Sequence, residues 1–326
     1  MKLSGGQLWA VLFMLRAFNF ICSPDAYSLQ RIGGTAISVF IQFLIVVPVI
    51  RVCREKTAGV TPGKAGVFPA LYFIFTGMLA IGRMLDITAS ENFAISKNII
   101  LVLLLVFTAL YCSKLGMRAA GRAAAVISGM FIFFLAVLLL TSVPEIRADN
   151  LTGDYDNTSV FAYALKDFAE SSEIPAVLIL SLFTYEGRAK GIYIYFGSKL
   201  LLVGLVTLLG ASVSGNVSVL ADYPFFELTS FSDLFGVQRS DVLFVTVCTL
   251  GAVLTVTVCV IAASEFLKKY FGGAKLLCLA FMTAGGFFLR GDYISGTELF
   301  FTIVFIIVSI LYMISASSEV RKAESV

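Results

Sequence analysis

Two cations stand where a chain of this composition has least reason to carry them. Arg16 lies inside the apolar run 8–20, and Lys199 lies inside the run 191–213. A charge within an apolar segment is costly and is retained where it snorkels to water, finds a counter-charge or serves a ligand. Two readings are open for Arg16: a reach to the cytoplasmic face, or a pair with an acid at an inner gate. Lys199 is mid-run, harder to bring to water, and is the better functional candidate. Asn19 adds a neutral polar side chain near the end of the first run.

Catalysis has little to work with. The chain has 0 histidines, which removes histidine metal sites, Ser-His-Asp and Cys-His pairs, and a histidine proton relay. The carboxylates gather in two polar stretches, with Glu145, Asp149, Asp154, Asp156, Asp167 and Glu170 in one and Asp222, Glu227 and Asp233 in the other. A solvated loop face is the expectation for them, and no acids cluster at membrane depth. The 6 cysteines show no Cys-x-x-Cys spacing and read as buried thiols. There is no Gly-rich phosphate cradle, and Gly285-Gly286 inside an apolar run reads as close helix packing. Asn150, Asn157 and Asn216 match the short glycosylation pattern. No metal and no cofactor is expected, and an enzyme is the weakest class.

The elements that carry these residues are set by hydropathy. Hydrophobic residues make up 59% and the mean hydropathy is +0.94, so lipid is the expected solvent. Ten apolar runs span 8–20, 35–52, 67–87, 99–112, 123–141, 174–184, 191–213, 242–263, 276–289 and 297–316. Most approach the ~20 residues a helix needs to cross hydrocarbon, while the first, fourth and sixth are shorter or interrupted. Most of the 24 Lys and Arg fall on one side of this alternation, which predicts that both termini are cytoplasmic. The opening Met1–Gln7 stretch lacks a cleavage pattern and reads as leading into a retained helix. A formal charge of +3 gives no case for nucleic acid. The polar stretch 142–173 is too short to bury its own core, so 1–326 reads as a single transmembrane domain.

Ten segments divide as five plus five, and because five is odd, two similar halves must lie in opposite orientations. The expectation is an all-α integral membrane protein of about ten transmembrane helices in an inverted repeat, the halves covering about 7–142 and 171–317. Such folds break the first helix of each half and expose backbone at mid-depth. Asn19 and Pro24 mark the first segment; Pro175, Ser181 and Gly187 mark the sixth. The alternative is that Pro24 merely ends one helix and Pro175 starts another.

Tyr223-Pro224-Phe225-Phe226-Glu227-Leu228, followed by Arg239-Ser240-Asp241-Val242-Leu243-Phe244, resembles the Tyr-Pro-x-x-Glu-Leu … Arg-x-Asp-x-Leu-Phe pattern of the spore germination permease family. These are the B subunits of bacterial germinant receptors, within the amino acid–polyamine–organocation superfamily. Tyr111, Gly116 and Arg122 are similar to that family's Tyr … Gly-x-Glu-x-x-x-Arg stretch, as are Glu173-Ile174-Pro175-Ala176, Gln7 and Pro24 to other parts of it. There are two departures. Phe18-Asn19-Phe20 stand where the family often has glycines, and Arg118 replaces an acid, leaving like charges one turn from each other with Arg122.

The resemblance implies a substrate between unwound parts of helices one and six, flanked by helices three and eight. It points to Asn19, Phe20, Cys22 and Ser23 on the first segment and Leu180, Ser181, Phe183 and Thr184 on the sixth. Tyr72, Thr76, Thr246 and Thr249 could supply hydroxyls, although each hydroxyl could equally bond the carbonyl one turn back. It also implies an outer lid carrying Tyr223, Pro224, Glu227, Arg239 and Asp241, the last equally readable as a helix cap. With Arg16 and Lys199 these form the gating and coupling set. The implied partners are the lipid bilayer, other germinant-receptor subunits and a small nutrient, an amino acid first. The implied place is the inner membrane of a bacterial cell or spore. The alternatives are a secondary amino acid transporter coupled to H⁺ or Na⁺, or a degenerate scaffold subunit. The lack of a histidine and of a mid-depth carboxylate leans toward the receptor.

Overall fold

A computed structural model describes residues 3–23, 25–52, 66–90, 95–152, 158–170, 173–182, 184–186, 188–215, 218, 221, 223–230, 241–289 and 298–324. The order is β1 (Leu3–Ser4), α1 (Gly5–Ile21), α2 (Leu29–Val52), α3 (Val67–Ser90), α4 (Ile95–Leu115) and α5 (Met117–Ser142). A 3-10 turn, Val143–Glu145, leads to α6 (Asp149–Thr152), α7 (Val160–Glu170), α8 (Glu173–Leu182), β2 (Thr184–Glu186) and α9 (Arg188–Ser214). The chain continues through α10 (Pro224–Ser230), α11 (Asp241–Leu267), α12 (Ala274–Phe288) and α13 (Glu298–Glu324).

The fold is all-α and of the membrane type. Among the described residues, five helices, in α2, α3, α5, α9 and α11, are long and apolar enough to cross a bilayer, and five shorter apolar helices lie in α1, α4, α8, α12 and α13. Phe40 and Leu44 on α2, Leu104 and Phe107 on α4, Phe133 and Leu140 on α5, and Phe300 and Leu311 on α13 are exposed. Spread over four helices, such a surface is an aggregation hazard in water and a lipid-facing belt in a bilayer.

α1 is the axis of the bundle. Ser4 and Gln7 close a capping box, with the Ser4 hydroxyl accepting the Gln7 N–H and the Gln7 side chain accepting the Ser4 N–H. From Ala10 to Ile21 every residue of α1 is buried, against α9, α5 and α11. The helix runs unbroken through Asn19, so the mid-helix interruption expected there is absent. Without a glycine at Phe18-Asn19-Phe20, nothing there favours leaving the helix, and the Asn19 side chain bonds to Arg83 and does not compete for local backbone. Pro24 lies outside the described residues.

The sixth segment differs from its expected form. α8 has only ten residues, all of them buried, so by itself it covers ~15 Å. Before it comes α7, eleven residues that lie along α2 and α13. Gly34 meets the Tyr163 Cβ and the backbone of Val160 and Ala164 so closely that any Cβ there would clash. The stretch 142–173 is therefore not merely a polar loop: Tyr163, Ala164, Asp167 and Phe168 turn one face of a half-length helix onto the bundle, while Phe161 and Leu165 stay exposed. Below α8, β2 pairs in parallel with β1, setting Leu3 opposite Thr184. Gly191 is pressed against the Gly5 carbonyl, and Gly285 and Gly286 admit Met78 and Ile81 of α3, the close packing expected of that pair.

Candidate functional site at the interrupted sixth segment

Two buried cations meet two buried carboxylates between α1, α2, α7, α8 and α9. Arg16 Nη2 donates to Asp167 Oδ1 at 2.5 Å. Lys199 Nζ donates to Glu173 Oε1 at 2.9 Å and stands 3.5 Å from Asp167 Oδ2. The four side chains are at most 7% exposed. Gln42 joins them: its Oε1 accepts from Lys199 at 2.9 Å, and its Nε2 donates to Ser38 Oγ at 2.8 Å. The Tyr195 hydroxyl donates to Glu173 Oε1 at 2.8 Å. Glu173 Oε2 is buried with no hydrogen-bond partner among the described residues.

The cluster is neutral as a whole, which is what allows it to be buried. Glu173 also sits in the first turn of α8, where a carboxylate is favoured by unpaired N–H groups and the helix dipole. Other groups at the interruption are served by neighbouring helices. Thr302 Oγ1 of α13 donates to the Ala169 carbonyl at 2.7 Å, near the end of α7. The Tyr72 hydroxyl of α3 accepts the Ala176 N–H in the first turn of α8. Pro175 brings no N–H that would need a partner.

A second charged layer lies nearer the Cys22 end of α1. Asp25 pairs with Lys166, the residue before Asp167, and with Arg31 at 3.5 Å. Arg31 Nη1 also donates to the Asp25 carbonyl at 2.8 Å, and its guanidinium lies 4.9 Å over the Phe20 ring. Tyr27, in the same turn, has its hydroxyl pKa pushed up by burial against the lowering pull of Arg31. On the α3 side, Arg83 Nη1 donates to Asn19 Oδ1 at 2.7 Å.

Between α3, the α7–α8 interruption and α13 lies a narrow cleft of about 20 Å³. Tyr72, Thr76, Leu79 and Arg83 form one wall; Ala169 and Pro175, flanking the interruption, form the second; Phe301, Thr302 and Phe305 form the third.

The residues expected to share one site are divided. Asn19, Phe20, Cys22 and Ser23 sit at one end of α1, where Cys22 meets Cys248 of α11. Thr184 lies beside Leu3 at the other end, ~22 Å along the helix from Asn19. Leu180 and Ser181 are on the buried last turn of α8, antiparallel to α1 and leading to Thr184. Of the hydroxyls, Thr76 donates to the Tyr72 carbonyl, Ser181 to Leu178, Thr184 to Leu180 and Thr249 to Val245. Thr76, Ser181 and Thr249 are bonded within their own helices, and Thr184 of β2 bonds back to the last turn of α8. Tyr72 and Thr76 line the cleft, whereas Thr246 is exposed. Tyr223 precedes α10, whose Pro224 is buried and Glu227 half-buried, and α11 starts at Asp241. Phe183 and Arg239 lie outside the described residues.

Three expectations are corrected here. Asp167 is not part of a solvated loop face; α7 carries it into the bundle, where it is buried near Glu173 of α8. Arg16 does not snorkel to a surface: it is buried and pairs with an acid, Asp167. Finally, two acids do cluster inside the bundle, contrary to the absence expected. One rule would have exposed the cluster: two buried cations demand two acids. Gln42, polar and mid-run in 35–52, was a further signal. Compared with known proteins, the chain matches no family model and no curated protein sequence.

Proposed function

We propose that this chain is a permease-type membrane subunit that binds a small nutrient beside the α7–α8 interruption and passes the signal to partner subunits, as a germinant-receptor B subunit would. The observation that carries the reading is the interruption itself: two half-length helices meet α1 around four buried charges. A continuous helix leaves no backbone group for a ligand, whereas a break exposes helix termini in a water-poor interior. The ten apolar helices support a five-plus-five inverted repeat, with α7 and α8 together serving as its discontinuous sixth helix and both termini in the cytoplasm. An amino acid is the first ligand to test, and the inner membrane of a bacterial cell or spore is the expected place.

A second reading, a secondary transporter coupled to H⁺ or Na⁺, is favoured by Asp167 and Glu173. Coupling needs a buried group whose charge state can follow an ion, and these carboxylates beside Lys199 qualify.

The test is a thermal-shift screen of the purified chain against the twenty amino acids and simple sugars, followed by uptake into proteoliposomes. A ligand that raises Tm without being accumulated supports the receptor. Accumulation driven by a proton or sodium gradient, and lost in Glu173→Gln, supports the transporter. No shift from a well-folded preparation counts against both and favours a scaffold subunit.

A further inference from the structure

We infer that the groove over α1, between α5 and α9, binds one acyl chain of a bilayer phospholipid. The site is separate from the α7–α8 interruption and does not depend on what that region binds.

α5 and α9 each pack along α1 but barely touch each other, so α1 forms the floor of a groove between them. The cavity there is about 230 Å³. Trp9 and Phe13 supply the floor, their ring centroids 5.6 Å from each other, and Phe13 packs in turn on Phe131 of α5. The groove follows α9 from Ser198 to Leu209, ~16 Å of helix rise. Its volume falls below the ~300 Å³ at which pockets for compact ligands begin. Long and narrow, it has the shape of an extended chain. Ser198 faces the groove, whereas Lys199, the next residue, points into the buried charge layer.

The lining selects hydrocarbon. Among the described residues no charged side chain lines the groove. Its two polar side chains are satisfied by the protein: Trp9 Nε1 donates to Ser198 Oγ at 3.1 Å, and Ser198 Oγ donates to the Tyr195 carbonyl at 2.9 Å. Water would find no polar partner there, and apolar cavities of this kind stay dry. An empty groove is unfavourable in turn, because its walls forfeit dispersion contacts on one side. What can fill it is set by its mouth. Ile132, Leu201 and Leu205 are exposed there and continue into the exposed Phe133 and Leu140 of α5 and Leu208 of α9. Gly204, between Leu201 and Leu205, has open space where a side chain would stand. The groove is therefore continuous with the lipid-facing belt, and the apolar molecule supplied there is an acyl chain.

Trp9 is the single tryptophan of the chain, so its fluorescence reports on the groove floor. The test reconstitutes the full chain into vesicles of phosphatidylcholine mixed in rising proportion with the same lipid brominated at mid-chain, bromine being a short-range quencher. Fully brominated lipid should remove more than half of the Trp9 emission. One chain at one site makes the loss linear in the brominated fraction. A tryptophan on the open lipid face, in Trp9→Phe/Phe133→Trp, meets several chains and should give a curve that is steeper at low fractions. Ala136→Phe/Leu205→Phe fills the groove from both walls and should restore most of the emission at unchanged Tm. Leu140→Phe, on the lipid face of α5 but outside the groove, should leave the quenching as in the parent. No quenching of the folded chain, a curved dependence for Trp9, undiminished quenching in the filled variant, or protection by Leu140→Phe overturns the proposal. If Trp9 is protected and the chain is dimeric by light scattering, a second copy covers the groove and the proposal fails.

Discussion

Two charged layers grip α7 through consecutive residues, and they differ in what water can reach. Asp167 enters a layer with Arg16, Lys199 and Glu173 in which every side chain is at most 7% exposed. Lys166, one residue earlier, enters a layer with Asp25 and Arg31 but is itself 51% exposed. The same kind of ion pair therefore has two different energetic meanings. In the inner layer the gross attraction is large, but so is the desolvation, and the layer is stable only while its charges balance. In the outer layer water and salt can replace Lys166, so its pair contributes little. α7 is thus pinned deeply at one residue and loosely at the next.

The comparison breaks most visibly at Lys199. Lys199→Met leaves two buried carboxylates against one cation and should cost about 3–5 kcal/mol, read as a large fall in Tm or in yield of folded protein. Adding Glu173→Gln restores the balance and should recover most of that loss. A double variant no better than the single would show that the four charges are not coupled. Thr302→Val comes next: it strands the Ala169 carbonyl at the end of α7 and should cost about 1–3 kcal/mol in chemical denaturation. Phe20→Leu removes the ring beneath Arg31 and should cost about 1 kcal/mol, measured in the same way. Lys166→Ala should have the smallest effect, under about 1 kcal/mol, and the difference from the parent should shrink further at high salt. If Lys166→Ala were as damaging as Lys199→Met, the contrast between the layers would be wrong.

Much of the framework was legible from hydropathy. All ten apolar runs correspond to apolar helices, because a helix in lipid satisfies its backbone within itself and leaves composition to decide where it lies. Glycine at 285 and 286 announced close packing, and the contact partners are Met78 and Ile81. The candidate site was less legible. Placing Asn19 and Ser181 in one site assumed that both helices break at mid-depth, but α1 continues to Ile21 and the interruption lies before Glu173. Thr76, Ser181 and Thr249 illustrate a general ambiguity: a hydroxyl in a helix always has a carbonyl one turn back, so its residue type alone does not identify a ligand contact.

By itself the sequence determined where the apolar helices lie and that Arg16 and Lys199 are inside them, since both depend on near neighbours along the chain. Only the tertiary structure decided which acids they meet. Arg16 and Asp167 are 151 residues apart in sequence and Lys199 and Gln42 are 157 apart, distances at which no local pattern connects them. The low-polarity interior then selects among possible contacts, because a buried charge must find its opposite. That demand brought α7, polar enough to resemble a loop, into the bundle.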